Sequence, residues 1–257
     1  MTFSRLDGPA DAPVVVLSNS LGTTTAMWDP QIPLLKQQFS VLRYDHPGHG
    51  LGSPKPLSSV EELASGVLEI LDAQGIDRVS FCGLSLGGAV GMWLALHAPE
   101  RIDRLVLACT SARFGTPENW RARIETVRAG GVEAVADAVL AIWFTPRTHR
   151  DAPAFVRTYR EMMVSAGREG YAGCCEALAT WDPGDALAGI SAPTLVIAGS
   201  EDPATPPAQG EALQRLIPGA RISVMAGAGH LANLEQPDAF TRLLLGHLTT
   251  RPAMEVA

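Results

Sequence analysis

Short runs of largely apolar, often β-branched residues recur along the chain at 14–17, 41–44, 79–82, 105–109, 194–198 and 222–225. Each stops at turn-forming residues, and most are followed by a stretch with helical spacing. Strands that are apolar on both faces and alternate with helices predict an α/β fold, a mostly parallel sheet covered by helices on both sides. The helical stretches are equally legible. Over Val60–Ala73, Leu63, Val67, Leu68, Ile70 and Leu71 fall on one stripe that ends near Gly75. Leu86–His97 is rich in Ala, Gly and Leu, as suits a helix packed closely on a sheet, and Pro207–Leu216 and Pro237–Leu248 each place a proline where a first helical turn tolerates it.

The rhythm breaks between about residues 116 and 185. No convincing strand occurs there, and the pattern predicts helices over 118–129, 132–143, 152–165 and 168–180, the first opened by Thr116-Pro117 as a capping hydroxyl before a proline. Strand–helix alternation resumes at Pro193. The expected organisation is a core built from residues 1–115 and 186–257, interrupted by a helical cap at 116–185, with residues 250–257 as a frayed tail.

Composition changes this picture little. At 257 residues, 46% hydrophobic and 18% charged, the chain is an ordinary globular one. A net charge of −7 lacks the basic footprint of a nucleic-acid binder. No apolar run reaches the roughly 18 residues of a membrane span, and the N-terminal stretch lacks the basic and apolar regions of a signal peptide. Cys82, Cys109, Cys174 and Cys175 have neither zinc-site nor disulfide-framework spacing, so reduced thiols in a cytoplasmic protein are expected, with no metal and no cofactor. Charge is uneven, however. Nine arginines against six acids between Arg113 and Arg168 leave that stretch at +3 and the rest of the chain at −10. Solvated helix faces account for such a pattern, as does an electropositive cover over a site for an anionic substrate.

The chemistry concentrates in three loops after predicted strands. Gly83-Leu84-Ser85-Leu86-Gly87 fits G-x-S-x-G, the strand-to-helix turn that lifts a serine oxygen clear of the backbone. His230 stands in the glycine-rich loop after the last strand and could serve as general base and acid. Asp202 follows the strand at 194–198 in a turn closed by Pro203 and Pro206, where a carboxylate would fix the histidine tautomer; Glu201 is its neighbouring competitor. The order Ser85, Asp202, His230 is the chain order of the α/β-hydrolase triad. The backbone N–H groups of Leu86 and of Leu21, in the loop after the first strand, are the expected oxyanion hole. Trp28 and Trp143 are possible pocket-lining aromatics, although large aromatics are more often core. Asp45-His46-Pro47-Gly48-His49-Gly50 is too tight and too glycine-rich for a metal site and reads as a structural turn.

These residues resemble the 3-oxoadipate enol-lactone hydrolases of aromatic catabolism. The shared stretches are Ser18-Asn19-Ser20-Leu21-Gly22-Thr23, Phe81-Cys82-Gly83-Leu84-Ser85-Leu86-Gly87-Gly88, Tyr171-Ala172-Gly173-Cys174-Cys175-Glu176-Ala177-Leu178 and Ala228-Gly229-His230-Leu231-Ala232-Asn233. The resemblance spans nearly the whole chain. It implies a serine acyl-enzyme, a small anionic lactone as substrate, and a guanidinium in the cap, Arg113 or Arg147, on the substrate carboxylate. Relatives carry a further strand before the segment matching residues 3–9, so the sheet is expected to fall short at that edge. Competing readings are another lactonase, a carboxylesterase or a cofactor-free perhydrolase on the same scaffold, and a ligand receptor that keeps the fold without turnover.

Overall fold

A computed structural model describes residues 3–250. Its strands are β1 (Ser4–Asp7), β2 (Val14–Ser18), β3 (Ser40–Tyr44), β4 (Val79–Leu84), β5 (Ile102–Ala108), β6 (Thr194–Gly199) and β7 (Arg221–Met225), forming one sheet in the order β1-β3-β2-β4-β5-β6-β7. All neighbours pair in parallel except β1, which runs antiparallel to β3 with Ser4 opposite Tyr44 and Asp7 opposite Val41. The helices are α1 (Ile32–Leu35), α2 (Val60–Ala73), α3 (Leu86–His97), α4 (Pro117–Gly130), α5 (Glu133–Trp143), α6 (Pro146–Asp151), α7 (Pro153–Val164), α8 (Arg168–Thr180), α9 (Pro207–Leu216), α10 (Ala232–Glu235) and α11 (Pro237–Leu248).

Among the described residues no further strand lies before β1, so the sheet ends on that side at β1. Sequence reading passes over it because Arg5 and Leu6 lie exposed on the sheet rim, so no alternation of buried and polar positions marks the strand. Its fastening is ionic: the buried Arg43 of β3 reaches Asp7 at 2.8 Å and Asp29 at 2.6 Å. The strand at 105–109 is also corrected, starting at Ile102 and stopping before Cys109, whose φ of 42° leaves the strand conformation. The tail beyond Thr250 lies outside the described residues.

The central strands β4 and β6 are buried at every position, as their unbroken apolar runs require. The helix α3 is buried on nearly all faces, and glycines make that closeness possible: a Cβ at Gly91 would stand 2.9 Å from the Phe81 ring. The helix α2 begins with a reciprocal capping box between Ser59 and Glu62. Between β5 and β6 the chain runs through α4 to α8 without a strand, and α4 packs along α8 and α5 along α7. Here α6 is a short polar turn opened by Thr145 and Pro146, too brief to show a periodicity in sequence. Among the described residues no helix is long and apolar enough to cross a membrane.

Because β3 lies on one side of β2 and β4 on the other, the chain reverses direction across the sheet at β2. A crevice at the carboxyl ends of the strands is the expected ligand position at such a reversal. The loops after β2, β4, β6 and β7 carry Leu21, Ser85, Asp202 and His230 to that end.

Candidate active site

Ser85 occupies the single residue between β4 and α3, with φ 57° and ψ −113°. Such a conformation costs about 1–3 kcal/mol and persists only where surroundings enforce it. Three contacts do so. The Ser85 amide donates to Ala108 O at 3.0 Å, Thr110 Oγ1 donates to Ser85 O at 2.7 Å, and the Gly88 amide donates back to Ser85 O at 2.9 Å. Side chains at the flanking glycines are excluded: a Cβ at Gly83 would lie 2.0 Å from Gly87 O, and one at Gly87 2.3 Å from Ser18 O. The G-x-S-x-G pattern is thus a packing requirement of this turn.

His230 donates from Nδ1 to Asp202 Oδ2 at 2.8 Å, which leaves Nε2 as the acceptor nitrogen. Asp202 is itself saturated. Its Oδ1 accepts the amides of Ala204 (2.8 Å) and Thr205 (3.0 Å), and its Oδ2 also takes the Thr205 hydroxyl at 2.6 Å. Burial raises the Asp202 pKa, but the neighbouring His230 and these donors outweigh it and hold the carboxyl below its usual range. The competitor Glu201 is exposed. Ser85 and His230 line one cavity, together with Leu21, Trp143 and Thr205.

The Leu21 and Leu86 amides differ from their neighbours. Ser20 N–H is directed at Met27 Sδ, Gly22 N–H donates to His49 Nε2 at 3.0 Å, and Gly87 N–H donates to Asn19 O at 3.0 Å. Among the described residues no acceptor meets Leu21 N–H or Leu86 N–H. The loop that presents Leu21 is clamped through Asn19, whose amide donates to Tyr44 O (2.9 Å) and accepts the Trp28 indole N–H (2.9 Å). Trp28 is therefore corrected: it is fully buried behind the loop and is not among the residues lining the cavity. Gly22, at φ 83°, leaves room for the Trp143 ring, 3.2 Å from where a Cβ would stand.

The Asp45–His46–His49 turn is a brace for the same loop. Asp45 accepts the amides of Thr25 and Leu51, His46 Nε2 donates to Asn19 O at 3.0 Å, and His49 Nδ1 donates to Pro47 O at 2.9 Å. Burial pushes the pKa of His46 down to about 3 and lowers that of His49, so both rings stay neutral. A histidine whose folded pKa lies below the unfolded value contributes full stability above the unfolded value, near 6.5, and loses it as pH falls toward the folded one. Lowering pH from 7 to 5 should therefore cost about 2 kcal/mol of unfolding free energy from His46, with His49 adding to it in the same direction. Urea titrations at the two pH values measure this, and equal midpoints would contradict it.

A second brace joins the helical insertion to the histidine loop. Glu235 Oε1 accepts Thr145 N–H (2.9 Å) and the Thr145 hydroxyl (2.8 Å), while Oε2 accepts Gly229 N–H (2.6 Å). Leu231 N–H adds a bond to Trp143 O at 3.0 Å. Glu235→Ala should destabilise the fold by about 2–3 kcal/mol and lower kcat by loosening His230. A variant with wild-type Tm and wild-type kcat would remove Glu235 from this role.

Neither arginine expected at a substrate carboxylate reaches the cavity. Arg113 is 70% exposed and paired with Asp182, and Arg147 is 83% exposed and 3.6 Å from Asp151. Both are solvent-exposed, Arg113 in the loop between β5 and α4 and Arg147 on α6, and a nearby acid takes each guanidinium. The arginine that lines the cavity is Arg123, which the uniform Arg-rich composition of the stretch did not single out.

The sequence profile of the α/β-hydrolase fold matches residues 13–237. The chain is 41% identical to 3-oxoadipate enol-lactonase 2 of Acinetobacter baylyi over 234 residues, covering 91% of this chain and 87% of that one. It is 37% identical to enol-lactonase 1 of the same organism over 242 residues, covering 94% and 91%. The crystal structure of the enol-lactonase from Burkholderia xenovorans superposes with a TM-score of 0.94 at 43% identity, covering 96% of each chain. With its strand order, its serine turn and this similarity along almost its full length, the chain belongs to the α/β-hydrolase family and, within it, to the family of the 3-oxoadipate enol-lactonases.

Proposed function

We propose that the protein opens 3-oxoadipate enol-lactone to 3-oxoadipate through an acyl-enzyme on Ser85, in aromatic-compound catabolism. The observation that carries this reading is the convergence of Ser85, the Asp202-oriented His230 and the unengaged Leu21 amide on one cavity, with the unengaged Leu86 amide on the residue next to Ser85. Ser85 Oγ attacks the lactone carbonyl while His230 Nε2 takes its proton. The Leu21 and Leu86 amides hold the oxyanion. The carbonyl carbon–ring oxygen bond then breaks, and the enol oxygen leaves with the proton from His230 and tautomerises to the ketone. Water gives a proton to His230 as it attacks the acyl carbon; Ser85 departs, takes that proton back, and 3-oxoadipate is released. An enol leaves more readily than an alkoxide, so the site faces a low barrier for an ester.

We read residues 116–185 as a cap over a core of 1–115 and 186–257, with Trp143 as a cap wall of the pocket. The four cysteines are buried and unpaired, which supports a reducing, cytoplasmic setting.

Ultraviolet absorbance of freshly generated enol-lactone follows turnover. Decay no faster than in buffer, with p-nitrophenyl acetate still hydrolysed, would move the substrate to another ester. No turnover of either compound and no fluorophosphonate label on Ser85 would leave a binding protein.

A further inference from the structure

We propose that Arg123 and the Tyr171 hydroxyl form a carboxylate-binding subsite in the cavity that Ser85 and His230 line, selecting esters and lactones that carry a free carboxylate. The inference rests on the hydrolase reading only in placing the scissile carbonyl at Ser85.

Charge is the first support. No Asp or Glu lines the cavity, and Arg123 is its one side chain of permanent charge. An unbalanced guanidinium in a partly desolvated pocket calls for an anion. Arg157 and Arg168 of the insertion are not among the residues lining the cavity, and six other arginines in or just before the insertion already meet acids. Arg113 pairs with Asp182, Arg121 with Glu118, Arg128 with Glu169 and Glu176, and Arg160 with Glu133 and Asp137. Arg147 and Arg150 share Asp151. Among the described residues no carboxylate meets Arg123, although it is half-buried.

Positioning is the second support. The Arg123 guanidinium lies 4.9 Å from the centroid of the Trp120 ring. Trp120 is itself held by its indole N–H on Phe114 O at 2.7 Å. The fork is thus fixed by a stacked platform, which reduces the order lost on binding.

The third support is independent of charge. Tyr171 is fully buried and lines the cavity beside Arg123, yet its hydroxyl meets no protein group at full hydrogen-bond geometry. Buried polar groups are almost always paired, so an orphan facing a cavity marks a place where a ligand atom belongs. Burial pushes the phenol pKa up, with the nearby Arg123 opposing it, so the hydroxyl stays protonated as a donor. A carboxylate there would receive Arg123 N–H groups and the Tyr171 O–H together.

Two measurements test this on the intact protein. One is the ratio of kcat/KM for 3-oxoadipate enol-lactone to that for α-angelica lactone, which keeps the enol-lactone ring but has methyl in place of carboxymethyl. The other is the inhibition constant of adipate against p-nitrophenyl acetate hydrolysis. Arg123→Gln should lower the ratio about 30-fold and raise the adipate constant about as much. Arg123→Lys should recover part of both, and Tyr171→Phe should show about a 5-fold effect. A ratio and an inhibition constant both within about three-fold of wild type in Arg123→Gln would overturn the proposal. If wild type leaves the enol-lactone untouched while adipate inhibition still depends on Arg123, the subsite stands and the lactone assignment falls.

Discussion

Ser85→Ala lowers kcat for lactone opening by about 10⁵–10⁶-fold, because the acyl-enzyme route is lost along with the attacking oxygen. KM should change little, since the cavity walls and the two amides remain. Stability should also hold. The Ser85 hydroxyl caps no amide of α3, and alanine inherits the same unfavourable φ of 57°. Glycine meets no such strain at that angle, so Ser85→Gly should be as inactive as Ser85→Ala yet more stable than it by about 1 kcal/mol. Steady-state kinetics with urea unfolding on both variants tests the pair of statements. If Ser85→Ala kept more than about 1% of kcat, another group would be the nucleophile.

Asp202→Asn should cost about 10⁴-fold in kcat with the fold intact. The reason lies in which oxygen does what. Oδ1 takes the Ala204 and Thr205 amides, so in the variant the amide oxygen stays there and the NH2 group turns toward His230. A donor facing Nδ1 favours the tautomer with its proton on Nε2, and the histidine can no longer accept from Ser85. The wild-type carboxylate has the opposite influence, and its lowered pKa keeps it charged through the neutral range. A folded pKa below the unfolded value means that its stabilising contribution is complete above about pH 4 and is lost as pH falls through the folded value. Acid unfolding of wild type should therefore contain a component absent from Asp202→Asn. Kinetics restored in the variant by raising pH would count against the tautomer account.

The buried strands were legible because both faces are apolar, and a period-free run such as 194–198 has few alternative explanations. Ser85, Asp202 and His230 were legible for a different reason: each follows such a strand in the order the fold uses. What stayed hidden depends on distant partners. The strand β1 owes its place to Arg43, 36 positions from Asp7, and its own residues carry no apolar pattern. Trp28 and Trp143 looked equivalent in sequence, yet one donates to Asn19 behind the loop that carries Leu21 and the other walls the cavity. The arginines between 113 and 168 share composition, and most of them share a helical setting. Only the packing of α4 against α8 decides that Arg123 turns inward beside Tyr171 while Arg113 and Arg147 meet acids in solvent.

The double tie through Glu235 and Leu231 has a consequence for how a molecule enters. The same carboxylate holds Thr145 of the insertion and Gly229 beside His230, and Trp143 is bonded to the residue after that histidine. A flap swinging open from this end would carry the His230 ring away with it. At the other end, Gly115 and Asn119 are exposed and also border the cavity. Entry between those residues would leave the Glu235 and Leu231 ties intact, and Arg123, which also borders the cavity, lies one turn further along α4.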